Sequence, residues 1–203
     1  MPEAKSDTAR EILDAAQNEF LRNGYEGARL QKIADQIGVT KAMIHYYFNT
    51  KKELFEHLYK QSLDDIFGDL EEILTRDIPL FKKIEQLVEG CLQKAVDQPD
   101  VLTFVITESS RKQEWLQPIF EEQLDLNLGS FEQELQEAAD NYQIASVKAR
   151  DLLLNIFSLC YYPSLSASVS QALFRNDAEL GQDGIPANRK GLVLDTILNW
   201  LTA

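Results

Sequence analysis

At 203 residues the chain is long enough to bury a sizeable core, and 44% hydrophobic with 26% charged residues suits a globular protein in water rather than a fibre or a disordered tail. Its only cysteines, Cys91 and Cys160, lie far apart in sequence, which points away from a disulfide framework or a Cys-x-x-Cys metal site and towards a reducing compartment. The net charge of −13 is unevenly spread: residues 1–60 carry nine Lys/Arg and nine Asp/Glu, and residues 61–203 carry eleven and twenty-four, so only the first part is free to approach a polyanion.

The N-terminal "MPEAKSDTAR" lacks the apolar stretch of a signal peptide, and "LLLNIFSLCYYPSLSASV" is broken by Asn155, serines and Pro163 before it reaches a membrane span. A cytoplasmic protein without membrane contact is expected. In chain order, "SDTAREILDAAQNEFLRNG" predicts a helix with Ser6 as N-cap, Ile12, Leu13, Ala16 and Phe20 on one face, and Gly24 at its end. "LQKIADQI" is a short amphipathic helix stopped by Gly38, and "KAMIHYYF" is another. Thr50 and Glu53 have capping-box spacing before a long apolar pattern that runs to about Thr75, bent near Gly68. Prolines then punctuate expected helices near 79–97, 99–111, 113–140 (interrupted near Pro118), 146–174 (bent at Pro163) and 187–202. "RNDAELGQDGIPAN" is read as a polar loop. The fold class is all-α.

Residues 30–48 have the form of two short helices about a glycine turn. Ile33, Ile37, Val39, Ile44 and Phe48 are placed to meet inside, Ala34 allows a close approach, and Gly38 supplies the turn. Thr40 can cap the second helix and leave its first amides facing an anion. Lys41, Ala42, Met43, His45 and Tyr46 occupy the outer circumference, with Tyr47 at the border. Such a surface suits the DNA major groove, where lysines and hydroxyls take phosphates and the rest meet base edges. Spacing alone leaves open a packing surface that binds nothing.

Residues 8–59 as a whole resemble the DNA-binding region of the TetR family of transcriptional regulators. "ILDAAQNEFLRNGYEG" is similar to that family's first helix and its Gly-Tyr exit, and "IADQIGVTKAMIHYYFNTKKELF" to its helix-turn-helix and the start of the next helix. The resemblance implies an N-terminal three-helix DNA-binding domain, residues 1–49, and a larger helical ligand-sensing and dimerisation domain, residues 50–203. It places Thr40, Lys41, Ala42, Met43, His45 and Tyr46 at the groove, Tyr47 and Lys51 on phosphates, and Gln31 within reach of a base or the backbone. The sequence also departs from the family pattern. Ala28-Arg29 stands where a small hydroxyl residue is usual, so Arg29 would substitute a charge. Ala42-Met43 replaces Gly-Thr, and His45 replaces a tyrosine.

The same resemblance implies a homodimer through the last two long helices, with Leu153, Phe157, Leu192, Ile197 and Trp200 at the interface. It also implies a cavity for an unidentified small-molecule inducer, lined by Phe104, Trp115, Phe120, Phe131 and Tyr161. The partners expected are therefore double-stranded operator DNA, a second copy and an inducer, with no cofactor. His45 and His57 do not have metal-ligand spacing, and no nucleophile triad or phosphate loop marks an enzyme. The rival reading is an all-α small-molecule-binding protein without operator binding.

Overall fold

The computed structural model describes residues 2–111, 114–142, 144–175, 181 and 185–202. Among these the architecture is all-α, with no strand. The helices are α1 (Pro2–Gly27), α2 (Leu30–Ile37), α3 (Lys41–Phe48), α4 (Lys51–Phe67), α5 (Leu70–Thr75), α6 (Leu80–Asp97), α7 (Pro99–Ser110), α8 (Gln117–Gln123), α9 (Gly129–Tyr142), α10 (Ala149–Leu165), α11 (Ala167–Leu173) and α12 (Arg189–Thr202). A single 3₁₀ turn, Glu114–Leu116, precedes α8. No single helix among the described residues is long and apolar enough to cross a membrane. The one pair that passes on length and composition, α10 with α11, is bent by 73°.

The chain divides into two compact units. The first holds residues 1–65 and 103–125, the second residues 66–102 and 126–203. The sequence boundary at 49/50 falls between α3 and α4, whereas packing carries most of α4 and most of α7 into the first unit. The chain therefore passes between the units three times, after residues 65, 102 and 125.

The first unit is built around aromatic rings on α4. Phe55, fully buried, has Phe20 and Tyr25 at 5.0 Å, Tyr59 stacked at 5.5 Å, Phe104 at 5.5 Å and Trp115 at 5.6 Å. Edge-to-face pairs of this kind add stabilisation beyond burial alone. Tyr59 donates its hydroxyl to the Val105 carbonyl at 2.9 Å, satisfying a polar atom in an apolar core. Ile12, Ala16, Ile33, Ala34 and Ile44 complete the packing beneath the glycine turn.

The second unit packs α6 against α10 and α12. Ile84, Leu87, Val88 and Cys91 are buried on α6, Leu152, Ile156 and Cys160 on α10, and Val193, Ile197 and Leu201 on α12. Phe157 and Tyr161 stack at 5.7 Å, and both meet Phe67 edge-on. The buried Lys83 ammonium donates to the Leu74 carbonyl at 3.0 Å and to Glu134 at 2.6 Å, so its charge is compensated.

Several expected boundaries shift for identifiable reasons. The first helix begins at Pro2, making Ser6 an interior position, and it kinks at Gly24 (φ 63°, ψ −178°) before continuing to Gly27. The long helix expected to bend near Gly68 is two helices, α4 and α5. Thr50 Oγ1 accepts the Glu53 amide at 3.1 Å, but the Glu53 carboxylate turns to the Asn49 side-chain amide at 2.8 Å instead of closing the capping box. Residues 113–140 contain a 3₁₀ turn and two helices. Pro118 opens α8, and Asn127 Oδ1 accepts the Gly129 amide at 3.0 Å where α9 starts. Pro163 lies inside α10, and the bend comes after Leu165, as α11 begins. Proline lacks the N–H that would reach the Leu159 carbonyl, and Arg189 supplies it instead from Nε at 3.2 Å and Nη2 at 2.7 Å. Residues 176–180 and 182–184 of the expected polar loop lie outside the described residues.

Candidate nucleic-acid interface

The turn between α2 and α3 follows from two residues. Gly38 adopts φ 70°, ψ 27°, the left-handed conformation that glycine reaches without a Cβ penalty, and its N–H returns to the Ala34 carbonyl. Val39 N–H reaches the same carbonyl at 3.0 Å. Thr40, in extended conformation, then caps α3 by accepting the Met43 amide at 3.3 Å. Ile44, 1% exposed, pins the helix to the unit.

That anchoring leaves Lys41, Ala42, Met43, His45 and Tyr46 exposed in one short surface, and Tyr46 is 65% accessible. Tyr47 is half-buried and meets Tyr46 edge-on at 5.2 Å. Gln31 is exposed, with its amide donating to Asp35 at 2.8 Å. Arg29 stands at the N-cap of α2 and makes no side-chain cap. Its backbone N–H instead donates to Glu19 Oε1 at 3.1 Å, leaving the exposed guanidinium outside the cap. Lys51 is half-buried with its ammonium 4.7 Å from the Tyr25 ring centre, a cation–π contact at the first turn of α4. Burial, then the charges of Glu26 and Glu56, raise the Tyr25 phenol above its ordinary range, which keeps that ring neutral.

Asn49 was absent from the sequence expectation. It is the one non-glycine residue at positive φ (47°) among the described residues, and it sits at the C-cap of α3. Its N–H donates to the His45 carbonyl at 2.9 Å, its side-chain amide to Glu53 Oε2, and its own carbonyl accepts from His45 Nδ1 at 2.7 Å. Its ψ of −60° lies outside the left-handed helical region that asparagine tolerates, so the residue type alone does not signal this conformation.

The five expected pocket residues fall in two units. Phe104, Trp115 and Phe120 join the aromatic core of the first, where Phe104 also lines a cavity of about 240 Å³ with Gly24, Thr107, Glu108 and Arg111. Phe131 and Tyr161 are buried in the second, where the Tyr161 hydroxyl lies beside the Cys91 thiol. Of the expected interface residues, Leu153 and Ile197 are buried within the second unit, Phe157 and Trp200 are half-buried, and Leu192 is exposed. Helical spacing marks an apolar stripe without distinguishing the chain's own core from a partner's. Among the described residues no group of His, Cys, Asp and Glu is placed to hold a metal.

Residues 12–58 match the family model of bacterial regulatory proteins, tetR family. The chain is similar to the HTH-type transcriptional repressor KstR2 of Rhodococcus jostii (strain RHA1), at 29% identity over 41% of each chain. It is also similar to the HTH-type transcriptional regulator RutR of Escherichia coli (strain K12), at 32% identity over 47% of this chain and 45% of that one. The match thus spans less than half the length of either relative. The fold extends further: the crystal structure of the Bacillus subtilis transcriptional regulator FadR in complex with stearoyl-CoA superposes with a TM-score of 0.65 over 95% of this chain and 98% of that one, at 20% identity. The family match falls on the stretch that holds the glycine turn, the capped α3 and the first turns of α4, and the likeness in fold covers nearly all of the rest; over residues 12–58 the chain carries the pattern of the tetR family of bacterial regulatory proteins.

Proposed function

We propose that this protein is a homodimeric transcriptional repressor that binds a palindromic DNA operator and is released from it by a small-molecule inducer. The observation that carries the reading is the outward surface of α3. Lysine, methionine, histidine and tyrosine are held in the open by a buried Ile44 and a threonine cap, within the part of the chain that has no net negative charge. Lys41 and Tyr46 are suited to phosphates, while Met43 offers an apolar contact to a thymine methyl and His45 a ring nitrogen to a base edge. Arg29, Gln31, Tyr47 and Lys51 extend the footprint along the backbone, Lys51 by leaving the Tyr25 ring. The reader is residues 1–49 and the sensor and dimerisation part is residues 50–203.

Exposed apolar side chains on the last helices support dimerisation. Leu154 and Tyr162 on α10, Val169 and Leu173 on α11, and Leu192 on α12 are between 45% and 70% accessible, a patch that a second copy would cover. KstR2, a relative named as a repressor, favours repression, and the FadR complex with stearoyl-CoA favours a small-molecule inducer. An inducer preferring one arrangement of the helices can act through α4 and α7, both of which pass from one unit to the other, and it shifts operator affinity by as much as that preference. The reading calls for a cytoplasmic protein. Selecting bound duplexes from a random DNA pool tests it: a palindrome with half-sites about 10 base pairs apart is expected. Recovery of no enriched sequence would leave the rival, a helical small-molecule-binding protein.

A further inference from the structure

We infer that Asn49 fixes the ring tautomer of His45, so that His45 selects adenine or cytosine over guanine and thymine at one position of each half-site. The inference rests on the operator reading above and names the chemistry of one contact in it. The His45 Nδ1 lies 2.7 Å from the Asn49 carbonyl oxygen. A carbonyl oxygen can only accept, so Nδ1 carries the proton. In the neutral ring Nε2 is then a lone-pair acceptor on an exposed side chain. In the major groove the hydrogen-bond donors are the amino groups of adenine (N6) and cytosine (N4), whereas guanine and thymine present acceptors. A donor-only side chain such as lysine at the same position would make the opposite choice.

The acceptor carbonyl is held from several sides. Asn49 is at φ 47°, a conformation costly for most residues, and two further bonds retain it, from its N–H to the His45 carbonyl and from its side-chain amide to Glu53. Thr50 accepts the Glu53 amide, which ties this corner to the first turn of α4. Asn49 is thus a positioning residue: it acts on DNA only through the imidazole.

Two measurements test this on the full-length protein at pH 8, where an ordinary imidazole is neutral. Long-range ¹H–¹⁵N correlations of histidine-labelled protein, assigned with His57→Gln, read the tautomer without DNA. The Nδ1–H form is expected for His45, with a shift towards Nε2–H in Asn49→Val, whose branched side chain resists positive φ. A predominant Nε2–H ring in the unaltered protein would overturn the inference, and an unchanged tautomer in Asn49→Val would remove Asn49 from it. Random-pool selection then compares the unaltered protein with His45→Ala and His45→Lys. About five- to tenfold discrimination for adenine or cytosine is expected at one base per half-site. It should disappear in the alanine variant and turn to guanine in the lysine variant, with the remaining positions and the spacing unchanged. An enriched palindrome whose base preferences are the same in all three proteins sinks this inference alone. A pool yielding no enriched sequence for any of them overturns the operator reading and this inference with it, whatever the tautomer.

Discussion

Gly24 and Gly38 both have positive φ, yet a methyl group meets different surroundings at each. At Gly38 nothing lies within 4 Å of an added Cβ, so Gly38→Ala carries only the left-handed backbone penalty, about 1 kcal/mol. At Gly24 the same Cβ would run into Glu108 Oε1 and stand 2.7 Å from Arg111 Nη1, and Glu108 is buried in its ion pair with Arg111. Gly24→Ala should therefore cost about 2–4 kcal/mol, backbone strain and displacement of a buried carboxylate together. Urea unfolding of the two variants checks the order, and an equal loss would show that Glu108 and Arg111 move aside freely. Lys51 separates stability from function at the same scale. Replacing it with alanine removes one phosphate contact in the proposed complex, so affinity should fall for every duplex and the salt slope should drop by about 1 per binding lysine. A change in base preference without a change in salt slope would place Lys51 elsewhere.

Among the elements, α10 gives the sharpest test of local accounting. Arg189 fills the carbonyl that Pro163 leaves open, so Arg189→Leu should cost about 1–3 kcal/mol by stranding the Leu159 oxygen. Pro163→Ala restores an N–H able to reach that oxygen, and the double variant should recover most of the loss. Additive losses in a double-mutant cycle, read by denaturant unfolding, would contradict this. The pair also shows what the sequence carried and what it did not. Pro163 announced an irregularity, but the carbonyl it leaves open is filled by a guanidinium from α12, thirty residues beyond Leu159 in sequence. The glycine turn, the Thr40 cap and the buried Ile44 were legible because each acts on its own or the next turn of chain. Asn49 was not, since its conformation is set by His45 and Glu53 together. Likewise an apolar stripe in α10 or α12 could not disclose that Leu153 faces the unit's own core while Leu154 faces out.

At the scale of the whole molecule, charge and burial make separate predictions. Residues 61–203 carry the net negative charge, which should repel DNA and suppress non-specific binding. Neutralising exposed acids there should raise affinity for random duplexes at low salt and leave it little changed at high salt. Unchanged low-salt affinity would refute the idea. Alkaline pH tests the cores. Burial raises the phenols of Tyr59 and Tyr161 above their ordinary value of 10.0. Above that pH the unfolded chain releases protons that the folded chain keeps, so stability is fully present below pH 10 and declines as pH rises beyond it, by about 1.4 kcal/mol per pH unit for each phenol. Tyr59→Phe should make the decline measurably shallower in unfolding experiments between pH 9 and 11.

The central claim, that α3 lies in the major groove, is tested most directly by placing base analogues along the selected operator. Analogues that remove major-groove groups, such as 7-deazapurines and uracil in place of thymine, should weaken binding at two patches one helical turn apart on the same face. Inosine, which removes only the minor-groove amino group of guanine, should leave binding intact at those positions. Sensitivity to inosine with indifference to the major-groove analogues would contradict the account.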